Sequence, residues 1–153
     1  SDAAPTGQSF AEQYKAVLLT YPAESDGYKT EYTLYDIDQD GTPELIVRKE
    51  SVYYYVYTFD GTEVIASNWN YWSYSNCLYA YDGNGIIVHE GGQGSMRFEY
   101  INVYSMVNDQ LEWTESLRTS EEYTYSELYE YLDTLTPIDN FIPITDDSYL
   151  SNS

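Results

Sequence analysis

The chain has 153 residues, which suits a single domain with one sizeable core. Twenty-six acidic residues face six basic ones, a formal charge of −20, which argues against nucleic acid and against docking on anionic lipid, both of which need Lys and Arg. Intrinsic disorder is disfavoured too, because 18% of the residues are aromatic, twenty tyrosines among them, and they supply ample apolar area for a core.

No apolar run approaches the ~20 residues that cross a bilayer. Residues 1–8 carry neither the basic stretch nor the apolar stretch of a signal peptide, so they read as a flexible tether before a single domain over 9–150. Ser9-Phe10-Ala11-Glu12 is a capping box, in which serine accepts from the first turn and glutamate reaches back. Behind it Phe10, Tyr14, Val17, Leu18 and Tyr21 recur at helical spacing, and Pro22 stops the helix. From Tyr32 the apolar period changes to two. Tyr32-Thr33-Leu34-Tyr35 leads into an acidic loop and Leu45-Ile46-Val47-Arg48 leads out.

That loop, Asp36-Ile37-Asp38-Gln39-Asp40-Gly41-Thr42-Pro43-Glu44, is the most informative stretch of the chain. Aspartates at alternate positions turn their carboxylates inward when the backbone curls, and Gly41 permits the sharp bend. The carbonyl of Thr42 and the carboxylate of Glu44 follow as the next oxygens. Oxygen-only ligands of this density suit a hard cation, and flexible ones suit Ca2+ better than Mg2+. The start matches an EF-hand, D-x-D-x-D-G, but Val47 stands at the twelfth position, where that loop needs a bidentate glutamate. The pattern is instead similar to the shortened loops of integrin-type FG-GAP repeats. That resemblance implies that Glu44 takes the bidentate role, with a water completing the shell.

Further hairpins follow. Val52 to Phe59 turns at Asp60-Gly61 and returns through Val64-Ile65-Ala66. Leu78 to Tyr81 turns at Asp82-Gly83-Asn84-Gly85 and returns through Ile86-Ile87-Val88. Phe98 to Val107 turns at Asn108-Asp109 and returns through Leu111-Glu112-Trp113. Asx-Gly steps between β-rich arms favour hairpins because these residues tolerate positive φ. A second capping box, Thr124-Tyr125-Ser126-Glu127, opens a helix with the stripe Tyr125, Leu128, Leu132 and Leu135, which Pro137 ends. The apolar tail Ile138 to Ile144 is expected to lie along the sheet. The predicted architecture is α+β: an antiparallel meander of about eight strands, with an N-terminal and a C-terminal helix covering one face.

Three other stretches carry candidate chemistry. His89-Glu90-Gly91-Gly92-Gln93-Gly94-Ser95 joins the single histidine to a glycine-rich loop, yet it completes neither a zinc motif nor a phosphate loop. Cys77, the single cysteine, precludes an internal disulfide, and with His89 it forms a weak candidate nucleophile–base pair beside the simpler reading of a buried thiol. Ser67-Asn68-Trp69-Asn70-Tyr71-Trp72-Ser73-Tyr74 holds Trp69, Tyr71, Trp72 and Tyr74, rings able either to stack on a glycan or peptide or to fill the core.

The helix, the acidic loop from Leu34 through Ile46, the Tyr81-Asp82-Gly83 hairpin and the Pro-rich tail together resemble a group of extracytoplasmic lipoproteins from Gram-positive gut bacteria. The resemblance implies secretion, calcium loading and a lipid anchor on an N-terminal cysteine, which is not visible in this sequence. It implies no activity. Calcium plentiful enough for weak sites, about 10⁻³ M, also points outside the cytoplasm. The expectation is therefore a secreted or surface-anchored, calcium-stabilised, non-enzymatic module for an extracellular glycan, peptide or protein. Two alternatives stand beside it: an extracellular hydrolase with a carboxylate pair, and an acidic structural or inhibitory protein that covers a basic partner.

Overall fold

The eight expected strand arms form, but they divide between two stacked sheets instead of making one meander. The structure is a computed structural model that describes residues 9–73, 75–91 and 98–151; the expected tether over 1–8 lies outside the described residues. The first sheet runs through β3 (Glu31–Tyr35), β4 (Glu44–Lys49), β5 (Tyr53–Phe59) and β6 (Val64–Trp72), each pairing antiparallel with the next. The second repeats the plan through β7 (Leu78–Ala80), β8 (Ile86–Gly91), β9 (Glu99–Val107) and β10 (Gln110–Thr119). The chain passes from one sheet to the other between Trp72 and Leu78.

Smaller elements complete the topology. A hairpin of β1 (Glu24–Ser25) and β2 (Tyr28–Lys29) bends at Asp26 and Gly27, both with positive φ, and was not among the expected elements. Helix α1 spans Phe10–Leu18 and helix α2 spans Tyr125–Leu132. Strand β11 (Ile142–Pro143) adds to the free edge of β3, so the apolar tail does lie along a sheet. Both halves of the capping box form at α2. At α1 the Ser9 hydroxyl accepts the Glu12 N–H at 3.3 Å, and the helix ends at Leu18, ahead of Pro22.

The helices do not share a face. Tyr14 and Leu18 of α1 pack on Tyr32, Leu45 and Val47, on the outside of the first sheet. Leu128 and Leu132 of α2 pack on Ile87, Ile101 and Val103, on the outside of the second. Ile46, Tyr54 and Val56 meet Leu78, Ile86 and Val88 between the two sheets. The layers therefore run helix, sheet, sheet, helix. Burial explains the choice: Leu45, Ile46 and Val47 are consecutive and all fully buried, which requires cover on both sides of β4. Ile86, Ile87 and Val88 make the same demand on β8. A single sheet with both helices on one face would leave half of these six side chains in water, at about 1.5–3 kcal/mol each.

Candidate metal centre

The acidic loop joins β3 to β4 at the end of the first sheet, and its backbone folds inward around its own carboxylates. Asp36 Oδ1 accepts the Asp40 N–H at 3.2 Å and Oδ2 accepts the Gly41 N–H at 2.9 Å. Asp38 Oδ1 accepts from the Asp40 N–H at 3.3 Å, and Asp40 Oδ1 from the Thr42 N–H at 2.9 Å. Gly41 sits at φ +95°, where an L side chain is strained. Oxygens of Asp36, Asp38 and Asp40 thereby lie within 4.8 Å of one another. Each oxygen that accepts one N–H retains a lone pair, so the trio fits the donor set of a hard cation.

Glu44, the expected closing ligand, is a buried carboxylate bonded to the loop backbone and to β5. It is 1% exposed and stands at the first position of β4. Its Oε1 accepts the Ile37 N–H at 2.7 Å and its Oε2 accepts the Thr58 hydroxyl at 2.9 Å. Burial, and then the Asp38 charge, push its pKa up to about 7, against the two hydrogen bonds that favour the ionised form. Asp38 is pushed up to about 6 by burial and by its contacts with Asp40. Three or four like charges held this closely are unfavourable unless a proton or a cation offsets them.

Two other elements, α1 and the β7–β8 turn, brace the loop from outside. Tyr14 of α1 donates its phenol O–H to the Pro43 carbonyl at 2.7 Å, and the nearby carboxylates join burial in raising the phenol's pKa. Gly85, in the β7–β8 turn, donates its N–H to the Ile37 carbonyl at 2.8 Å. Tyr35 accepts the Tyr81 N–H at 3.0 Å on its hydroxyl. Ile37, between two of the acids, is wholly buried in the core between the sheets. The loop is thus riveted to both sheets and to α1. Sequence reading missed Tyr14, Thr58 and Gly85 as supports. Their spacing from the loop carries no local signal; Tyr14 was readable only as part of the helical stripe and Gly85 only as part of a turn.

The other candidates divide. Trp69 is buried between the sheets, stacked on Tyr71 at 6.2 Å and tilted against Tyr104 at 6.0 Å, so it serves packing and not an exposed binding face. Its β6 position points inward because side chains alternate along the strand. Tyr71 is half-buried and accepts the Gly91 N–H at 3.2 Å, Trp72 is also half-buried, and Tyr74 lies outside the described residues. Cys77 is buried in the same inner core, and burial pushes its thiol up to about 12, opposite to what a nucleophile needs. His89 faces the α2 side, bonded to Glu99 and edge-on to Tyr129, so it does not serve as a base for Cys77. The glycine-rich stretch 92–97 lies outside the described residues. Comparison with family models, with curated proteins and with solved structures gave no match.

Proposed function

We propose that the chain is a calcium-stabilised, non-enzymatic binding module that works outside the cytoplasm, secreted or held at a surface. The observation that supports it is the convergence of Asp36, Asp38 and Asp40 within 4.8 Å on a loop tied to both sheets and to α1. On this reading the three carboxylates, the Thr42 carbonyl and a free lone pair of Glu44 hold the ion. The ion neutralises the charges that crowd Asp38 and Glu44, and so tightens the joint between the sheets. Its role is structural, and the partner is an extracellular glycan, peptide or protein. The extracellular setting is supported by the calcium available there to a weak site, of order 10⁻³ M.

Thermal denaturation with calcium and with EDTA tests the proposal. At calcium a hundredfold above Kd, linkage adds roughly 2.7 kcal/mol, so the melting temperature should rise clearly with calcium and less with magnesium. Asp38→Ala should abolish the rise. Asp82→Ala, in the neighbouring turn, should leave it intact. A melting temperature indifferent to chelation would overturn the proposal.

A further inference from the structure

The C-terminus of α2 borders a cavity of about 580 Å3, lined among others by His89, Tyr79, Tyr129, Asp133 and Asp139, none of which belongs to the metal loop. Its polar lining includes two carboxylates, an imidazole, an amide and phenols. Behind the wall, buried Glu99 accepts the Tyr129 phenol on Oε1 at 3.0 Å, and the same oxygen lies 2.7 Å from His89 Nε2. A carboxylate oxygen in that position calls for a donor, so the neutral imidazole carries its proton on Nε2. His89 Nδ1, which has no hydrogen-bond partner among the described residues, is then an acceptor.

The carboxylates point the same way. Asp133 caps α2 at the negative end of the helix dipole, where a cation is favoured and a carboxylate is not, and the last turn holds no basic residue. Asp139 adds a second negative charge on the same wall. Among the described residues neither carboxylate makes a hydrogen bond or an ion pair, and no Lys or Arg lines the cavity. The Oδ1 of Asn76, in the same wall, is a buried acceptor without a partner; the Nδ2 bond to the Leu78 carbonyl at 3.2 Å fixes which end is oxygen. Two tyrosine rings stand in the same lining, and aromatic faces attract cations.

We propose that this cavity binds a small organic cation, an ammonium or guanidinium on a short apolar stem. Its N–H groups go to Asp133, Asp139 and His89 Nδ1, and the stem lies against Tyr79 and Tyr129. A chain of net charge −20 also raises the local concentration of such cations. The site is independent of the metal loop, on the far side of the second sheet.

Titration of the whole chain with n-butylguanidinium and n-butylammonium at constant ionic strength tests it, with n-pentanol as the neutral control. Chemical shifts of the His89 ring and of Tyr79 and Tyr129 should move saturably with the cations and not with the alcohol. The surface pair Asp133→Asn with Asp139→Asn should keep the fold, checked by circular dichroism, and weaken cation binding by roughly tenfold or more. Long-range proton–nitrogen correlation should place the imidazole proton on Nε2. Non-saturable shifts, equal response to pentanol, undiminished binding in the double variant, or a proton on Nδ1 would each overturn the assignment.

Discussion

Two turns of the first sheet start from the same residue type and end with opposite electrostatics. At Asp60, between β5 and β6, one carboxylate oxygen accepts the Thr62 and Glu63 N–H groups at 2.8 Å each, and those bonds hold the carboxyl below its ordinary value. At Asp38, between β3 and β4, a similar backbone bond is outweighed by burial and by neighbouring acids, and the pKa rises to about 6. One aspartate in a turn is satisfied by its own backbone. Three at alternate positions exhaust the available donors and compete for what remains, which is why only the longer loop gathers uncompensated negative charge. The glycines of the two turns are near twins, φ +95° at Gly41 and +101° at Gly61, each with open space where a side chain would go.

The strongest way to break the comparison is to remove the rivet that only the acidic loop has to the second sheet. A Cβ on Gly85 would come within 2.9 Å of Val103 Cγ1 and 3.1 Å of the Tyr104 carbonyl oxygen. Gly85→Ala should therefore destabilise the fold by about 1–3 kcal/mol through overpacking, read as a lower urea midpoint. It should also weaken calcium binding, since the same glycine holds Ile37. Loss of stability without loss of calcium response would separate the loop from its support.

The second test is pH. Glu44 and Asp38 are raised to about 7 and about 6 in the fold, from an ordinary carboxylate value near 4. The calcium-free folded state therefore retains protons that the unfolded chain has already released. Stability gained from this is complete at low pH and is lost as pH rises through roughly 4 to 7. In EDTA the melting temperature should fall across that window by several degrees, and calcium should flatten or reverse the slope because ligands bind metal deprotonated. Asp60, displaced the other way, adds nothing of that sign.

The smallest effect sharpens the pairing of the glycines. Gly41→Ala and Gly61→Ala should each cost about 1–2 kcal/mol from left-handed strain, and the two should match in EDTA. With calcium present Gly41→Ala should cost more, because the distorted loop also binds the ion less well. Equal costs in calcium would show that Gly41 is only a turn residue.

Much of the local structure was legible in the chain itself. The capping residues Ser9 and Thr124, the period-two arms, the Asx-Gly turns and the D-x-D-x-D-G curl all depend on neighbours a few residues apart, and backbone sterics act at that range. The curl around Asp36, Asp38 and Asp40 was readable for the same reason, since the N–H groups that shape it belong to Asp40, Gly41 and Thr42. Tertiary structure decided the rest. That the eight arms split after Trp72, that α1 and α2 lie on opposite outsides, and that Trp69 faces inward follow from covering Leu45–Val47 and Ile86–Val88 on both sides. Area burial is non-directional and long-range, so periodicity says which residues seek cover and not what covers them. Glu44 shows the same limit: its ninth position in the loop suggested a ligand, while its bonds to the Ile37 N–H and to Thr58, fourteen residues on, were not readable from that position.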